Sequence, residues 1–271
     1  MSIKGNAVIE SYENYREEDR LTTNQARKIE FITTARVLQD IMPSEGKVLD
    51  CAAGTGIYAF HLADKGYEVT ATDITPRHVD IMNEICMEKG YSVKTAVVDA
   101  SDLSMFDDES YDVVLNMGPY YHLTEENDRK RNLSECKRVL KKNGILITAY
   151  IPRYYVYQLI VMSDPKFLVA GLEEQIRKTG VLHNDDELCF WTDTYYSTAE
   201  EMEQIYEANG LSIIEHFAQD GMAPMFADKV DKWPKEKFDL WCEHHYKTCK
   251  EKSLLGMSNH VIIAGRKKQN D

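Results

Sequence analysis

The chain has 271 residues, 43% of them hydrophobic, which is enough to bury the core of an α/β domain. Its 45 acidic against 32 basic residues give a formal charge of -13 at pH 7, and that balance opposes loose association with nucleic-acid phosphates. The six cysteines form no CxxC pair and no zinc-like spacing with histidine, the first residues lack the apolar stretch of a signal peptide, and no run of about 18 apolar residues suits a membrane.

Over 25–42 the apolar residues Phe31, Ala35, Leu38 and Ile41 recur at helical intervals, and 43–46 stop that helix. A short apolar strand at 47–52 runs into the loop Ala52-Ala53-Gly54-Thr55-Gly56, and a helix follows over 57–65. Gly66 ends it, and a β-branched strand at 67–72 closes on Asp73. Thr75 and Pro76 open the next helix, with Val79, Met82 and Cys86 on its apolar face and Gly90 as its stop. A third strand at 93–98 ends on Asp99, and a fourth spans 111–117. Thr124 is expected to cap a helix carrying Leu133, Cys136 and Leu140 on one face, before a fifth strand at 145–151. This alternation predicts a parallel sheet with helices on both faces. The aromatic-rich stretch 154–193 shows no strand period and is expected to be a mostly helical or irregular insertion over the sheet's edge. Two capping-box spacings, Ser197 to Glu200 and Thr198 to Glu201, open a helix that ends at Gly210. Strands at 211–217 and 260–266 then flank a helical stretch at 233–252.

The segment Val48-Leu49-Asp50-Cys51-Ala52-Ala53-Gly54-Thr55-Gly56 sits at the first strand-to-helix turn, where small residues let an adenosine-containing ligand approach the backbone. Asp73, about 20 residues beyond, ends the second strand, where a carboxylate can accept both hydroxyls of a ribose. Gly54-Thr55-Gly56-Ile57-Tyr58-Ala59 also fits a permissive dinucleotide fingerprint, so this loop leaves a dinucleotide and S-adenosylmethionine equally open. Three features separate them. Asp50 precedes the loop, in reach of a ligand amino group through the loop or a water; Asp99 and Ala100 end the third strand, beside an adenine edge; and Asn116-Met117-Gly118-Pro119-Tyr120-Tyr121-His122-Leu123 follows the fourth strand at the sheet's carboxyl edge.

On these residues, and on a closing Ser258-Asn259-His260 strand in the same order, the chain resembles the class I S-adenosylmethionine-dependent methyltransferases, in the small-molecule group around methyltransferase type 11. Ala52 stands where that family has its first loop glycine. The resemblance implies a Rossmann-like seven-stranded, mostly parallel sheet with helices on both faces, an antiparallel seventh strand between the fifth and sixth, and an insertion or lid after the fifth. It implies a lid and leading helix at 1–46, an S-adenosylmethionine-binding core at 47–151, an insertion at 152–196 and the rest of the core sheet, with a further helical segment, at 197–271. Asp50, Ala52, Gly54 and Gly56 would border the methionine moiety, Asp73 and Ile74 the ribose, Asp99 and Ala100 the adenine, and Asn116 the sulfonium region; the product would be S-adenosylhomocysteine.

Methyl transfer from a sulfonium is an in-line displacement with an excellent leaving group, so positioning and desolvation supply much of the acceleration. A hydroxyl, thiol or protonated amine must also lose a proton, and His122 is the candidate for that role, with Tyr121 beside it. The stretch 11–21 is too polar for a core yet rich in aromatic and arginine residues, which makes Tyr12, Tyr15 and Arg20 lid candidates, Arg20 for a carboxylate. Tyr154, Tyr157 and Trp191 suggest an apolar acceptor pocket. His244 and His245 diverge by about 100° on a helix, and no metal is expected. The expected protein is cytoplasmic, monomeric or homodimeric, acts on a small-molecule acceptor, and has no membrane or nucleic-acid partner. Two rivals share the loop: a nicotinamide-dependent oxidoreductase and a non-catalytic S-adenosylmethionine-binding protein.

Overall fold

The computed structural model describes residues 3–268. Two helices precede the sheet, α1 (Ile3–Glu13) and α2 (Gln25–Ile41), with a 3-10 turn at Glu17–Asp19 between them. Asn24 starts α2 because its side chain accepts the Arg27 N–H, one of the donors that a first helical turn cannot satisfy internally. Then β1 (Lys47–Asp50), α3 (Ile57–Asp64), β2 (Glu68–Asp73), α4 (Pro76–Lys89), β3 (Lys94–Val97) and β4 (Tyr111–Asn116) alternate as the sequence predicts. One helical turn, α5 (Pro119–His122), leads to α6 (Glu126–Val139) and β5 (Leu140–Pro152). Glu125, not Thr124, occupies the cap position of α6, and β5 begins directly after Val139, earlier than the expected 145.

After β5 the chain forms α7 (Arg153–Ser163), α8 (Ala170–Thr179) and a strand pair, β6 (Val181–Leu182) and β7 (Thr194–Ser197). The insertion is mostly helical or irregular, as read from the sequence, and the strand pair is an addition to that reading. All four residues of β7 are buried, so it carries no polar–apolar alternation from which a strand could be read. The Thr198–Glu201 capping box opens α9 (Ala199–Ala208), followed by β8 (Leu211–Ala218), α10 (Ala227–Val230), α11 (Lys235–Thr248), α12 (Lys252–Leu255) and β9 (Val261–Lys267).

The main sheet runs β3-β2-β1-β4-β5-β9-β8. From β3 to β5 all neighbours are parallel, and β9 is antiparallel to both β5 and β8, the arrangement implied by the family resemblance. The nine described strands exceed the expected seven by β6 and β7, where β7 pairs with the last residues of β5. Strand periodicity sorts the core onto two faces. Val113, Leu115, Ile145 and Ile147 join Val37, Leu38, Ala59 and Leu62 of α2 and α3. Val114, Leu146, Tyr150 and Ile263 join Leu133 and Cys136 of α6 and Met202 and Tyr206 of α9. A smaller cluster seats Ala26 and Ile29 of α2 against Val230 and Phe238, and Asp231 accepts the Ala26 N–H, so α2 is fixed where it supports the chain that crosses the sheet's carboxyl edge. No described helix is long and apolar enough to cross a membrane.

Candidate active site

A cavity of about 480 Å³ opens where β1, β2 and β4 end. Its inner wall begins with the loop after β1, which turns through left-handed backbone at Gly54 (φ 55°) and Gly56 (φ 91°). The two glycines do different things. A Cβ on Gly56 would stand 2.6 Å from the Phe60 ring and 3.1 Å from Met82, so Gly56 is a packing residue and does not line the cavity, contrary to its expected place against the methionine moiety. Gly54 does line it, and a Cβ there would meet Cγ of Glu17 at 3.1 Å. Ala52 is accommodated because glycine faces it: a Cβ on Gly118 would already stand 3.3 Å from the Ala52 methyl.

Asp73 joins two loops, since its Oδ2 accepts the Gly54 N–H at 2.9 Å and its Oδ1 the Thr75 N–H at 2.8 Å. Each oxygen keeps a further lone pair for a ligand hydroxyl. Asp50 is buried with Oδ2 unpartnered, and burial, reinforced by the charge of Asp73, raises its pKa to about 7. Ile74, Asp99 and Ala100 line the same side, and Asp99 accepts the Ser101 N–H at 2.8 Å. Asn116 is a second correction. It shares the face of Val114, and its amide donates to Asn132 Oδ1 at 2.7 Å inside the core, away from the cavity.

The outer wall comes from remote segments. The Tyr12 hydroxyl lies 3.0 Å from His122 Nε2, and His122 Nδ1 lies 3.0 Å from the Asp193 carbonyl oxygen. A carbonyl has no proton to give, so Nδ1 carries the hydrogen and the bare Nε2 accepts from Tyr12. Burial of the imidazole pushes its pKa down to about 4, which keeps the ring neutral near physiological pH. The rings of Tyr121 and Trp191 stand 4.8 and 4.9 Å from His122, forming an aromatic panel with Tyr12. Burial raises the Tyr121 phenol, so it stays protonated. Tyr154 is exposed and Tyr157 packs on the core, so of the three insertion aromatics it is Trp191 that joins this panel.

Two lid candidates fall elsewhere. Tyr15 is exposed and outside the cavity lining, with its hydroxyl accepting from Arg27 at 3.0 Å. Arg20 lines the cavity, but it holds both oxygens of Glu30, at 2.9 and 3.1 Å, and Glu17 Oε1 at 2.8 Å, which leaves no edge of its guanidinium for a ligand carboxylate. Behind Glu30, His260 Nδ1 lies 3.4 Å from Glu30 and 3.6 Å from Asp220. Burial opposes a charge on His260, yet these carboxylates outweigh it and raise its pKa. Glu30, Asp220 and His260 are close enough together to hold a metal ion, but Arg20 already occupies the Glu30 oxygens.

Sequence reasoning passed over Glu17 and His78, which also line the cavity. His78 is buried without a hydrogen-bond partner, its Nδ1 3.2 Å from Asp73, and its place in the first turn of α4 was the available signal. Glu17, three residues before Arg20, was legible only as a helix-like ion pair.

Residues 48–144 match the family profile described as a methyltransferase domain. The glycine/sarcosine N-methyltransferase of Aphanothece halophytica is 32% identical over 102 residues, which are 37% of this chain and 38% of that protein. The ubiquinone biosynthesis O-methyltransferase of Haemophilus ducreyi is 26% identical over 160 residues, 58% of this chain and 66% of that protein. The chain therefore spans less than half the length of the glycine/sarcosine relatives. Solved structures share the fold over nearly the whole chain. The PH0226 protein of Pyrococcus horikoshii has a TM-score of 0.62 at 18% identity, covering 96% of this chain and 99% of that one. The 1,6-didemethyltoxoflavin-N1-methyltransferase of Burkholderia thailandensis, solved with S-adenosylhomocysteine, has a TM-score of 0.57 at 15% identity, covering 97% and 87%.

Proposed function

We propose, for a chain that carries the methyltransferase domain at residues 48–144 within the fold of the class I S-adenosylmethionine-dependent methyltransferases, that it transfers a methyl group from S-adenosylmethionine to a small molecule bearing an O–H or N–H. The supporting observation is one cavity that places the Gly54 loop and Asp73 on one side and the bare Nε2 of His122 on the other. The residues fit the cofactor: Gly54 lines the cavity in left-handed backbone with Glu17 close above it, Asp73 retains lone pairs for the ribose, and Asp50 and Glu17 each keep a buried oxygen without a partner. Asp99 and Ala100 would hold the adenine end, with Ile74 beside the ribose. When bound, the sulfonium supplies the methyl group and leaves as a neutral thioether. His122 accepts a hydrogen bond from the acceptor O–H or N–H in place of Tyr12, turns the acceptor's lone pair toward the methyl, and takes on Nε2 the proton that the acceptor loses as its new bond to carbon forms. Tyr121 and Trp191 press on the imidazole and exclude water from its neighbourhood.

Calorimetric titration with S-adenosylmethionine, S-adenosylhomocysteine, NAD and NADP tests this reading. Saturable binding of the two sulfur ligands alone is expected, with affinity reduced about 100-fold or more in Asp73→Ala, since that change removes both the ribose acceptor and the partner of the Gly54 N–H. Binding of the nicotinamide ligands alone would move the chain to the oxidoreductases. An acceptor screen by S-adenosylhomocysteine release then separates an enzyme from a protein that only binds the cofactor.

A further inference from the structure

We infer that Glu17 binds the α-ammonium group of the cofactor's methionine moiety, a role that rests on the proposed use of S-adenosylmethionine. Glu17, Arg20, Glu30, His260 and Asp220 form a row running inward from the cavity, with a carboxylate at either end. The two ends differ. At the inner end, Asp220 Oδ1 accepts from the Ser258 hydroxyl at 2.7 Å, from the Asn259 N–H at 2.9 Å and from the His260 N–H at 3.1 Å. At the outer end, Glu17 Oε1 is held by Arg20, while Oε2 is buried without a partner in the cavity wall. A buried carboxylate oxygen left without a hydrogen bond is unfavourable, so the cavity presents an acceptor open to a donor carried by the ligand.

The chemistry of that donor follows from the surroundings. Arg20 turns its Nη1 and Nη2 to Glu30 and its Nε–H to Glu17 Oε1, so its charge is already shared between two carboxylates, and an anionic group would be repelled by Glu17. A cation with several N–H groups is what the geometry takes. Position selects which cation: Glu17 covers Gly54, its Cγ 3.1 Å from where a Cβ would stand, and Gly54 belongs to the loop against which the methionine moiety is placed. Asp73 and Asp99 serve the ribose and the adenine further along the cavity.

The test is Glu17→Gln, which keeps the shape and leaves an oxygen for Arg20. Affinities are measured by calorimetry for S-adenosylhomocysteine and for its deaminated analogue, which retains the carboxylate but has no amine. The expected result is a loss of about 10- to 100-fold for S-adenosylhomocysteine, the scale of a charged hydrogen bond, with the analogue within about twofold of its affinity for the unaltered protein. Binding of the analogue also shows that the variant is folded. Equal losses for both ligands would make Glu17 a shaping residue of the lid and overturn the inference, as would an unchanged affinity for S-adenosylhomocysteine. If the unaltered protein binds neither compound, the proposed function falls and this role falls with it.

Discussion

The inner wall of the cavity is drawn from a short span of chain, Asp50 to Ala100, and works largely through backbone: a turn at Gly54, N–H groups tied to Asp73, and strand ends set by the sheet. The outer wall is assembled from side chains far apart in sequence, with 110 residues between Tyr12 and His122 and 71 between His122 and Asp193. Backbone geometry tolerates many side chains nearby and suits a ligand common to many enzymes, whereas a wall of rings and one imidazole nitrogen suits a single acceptor. The inner wall, with Glu17 laid over Gly54, should therefore govern cofactor affinity, and the ring and imidazole wall around His122 turnover.

The sharpest way to break that division is His122→Ala. Turnover should fall by about 100-fold or more while S-adenosylhomocysteine affinity stays within about twofold, measured by product release and by calorimetry. A matching loss of affinity would mean that the walls are not separable. Behind the inner wall, Gly56→Ala should lower stability by about 2 kcal/mol, because it strains left-handed backbone and drives a methyl into Phe60, and Tm in thermal unfolding should drop by about 4–8 °C. An unchanged Tm would show that the loop yields where packing says it cannot. The smallest effect is expected at Asp50. Its pKa of about 7 lies above the roughly 3.9 of an unfolded chain, so the fold binds the extra proton between those values and loses stability as pH rises through that window. Asp50→Asn leaves a polar group buried and so removes only part of this penalty, and should raise Tm by roughly 2–4 °C at pH 8.5 and by less at pH 5. A gain larger at pH 5 would reverse the sign and exclude burial as its cause.

The same contrast explains what the sequence made legible. The alternation of strands and helices, the turn at Gly54 and the strand-end place of Asp73 follow from local rules of turn and period, whereas the antiparallel β9 between β5 and β8 is implied by the family resemblance alone. Asn116 faces away from the cavity although the resemblance implies a place beside the sulfonium, because alternation along β4 sets it with Val114 on the α6 side. Arg20 lines the cavity but is not offered to a ligand carboxylate, because Glu30, ten residues away on α2, takes its Nη1 and Nη2 and Glu17 takes its Nε–H, which sequence spacing cannot show. Tyr15 and Tyr12 belong to one aromatic-rich stretch and look alike in sequence. Tyr12 lies within α1 and meets His122, whereas Tyr15 lies beyond the end of that helix and meets Arg27.

The place of β9 bears on how the chain is made. β8 is synthesised before β9 yet pairs only with it, while the flank of β5 that β9 will occupy waits through more than a hundred residues of translation. On the ribosome the cofactor half can therefore close around β1 to β4 while β5 is still an open edge and β8 is still unattached. A nascent chain halted before Val261 would expose a long apolar strand of the kind that chaperones hold and that aggregates recruit.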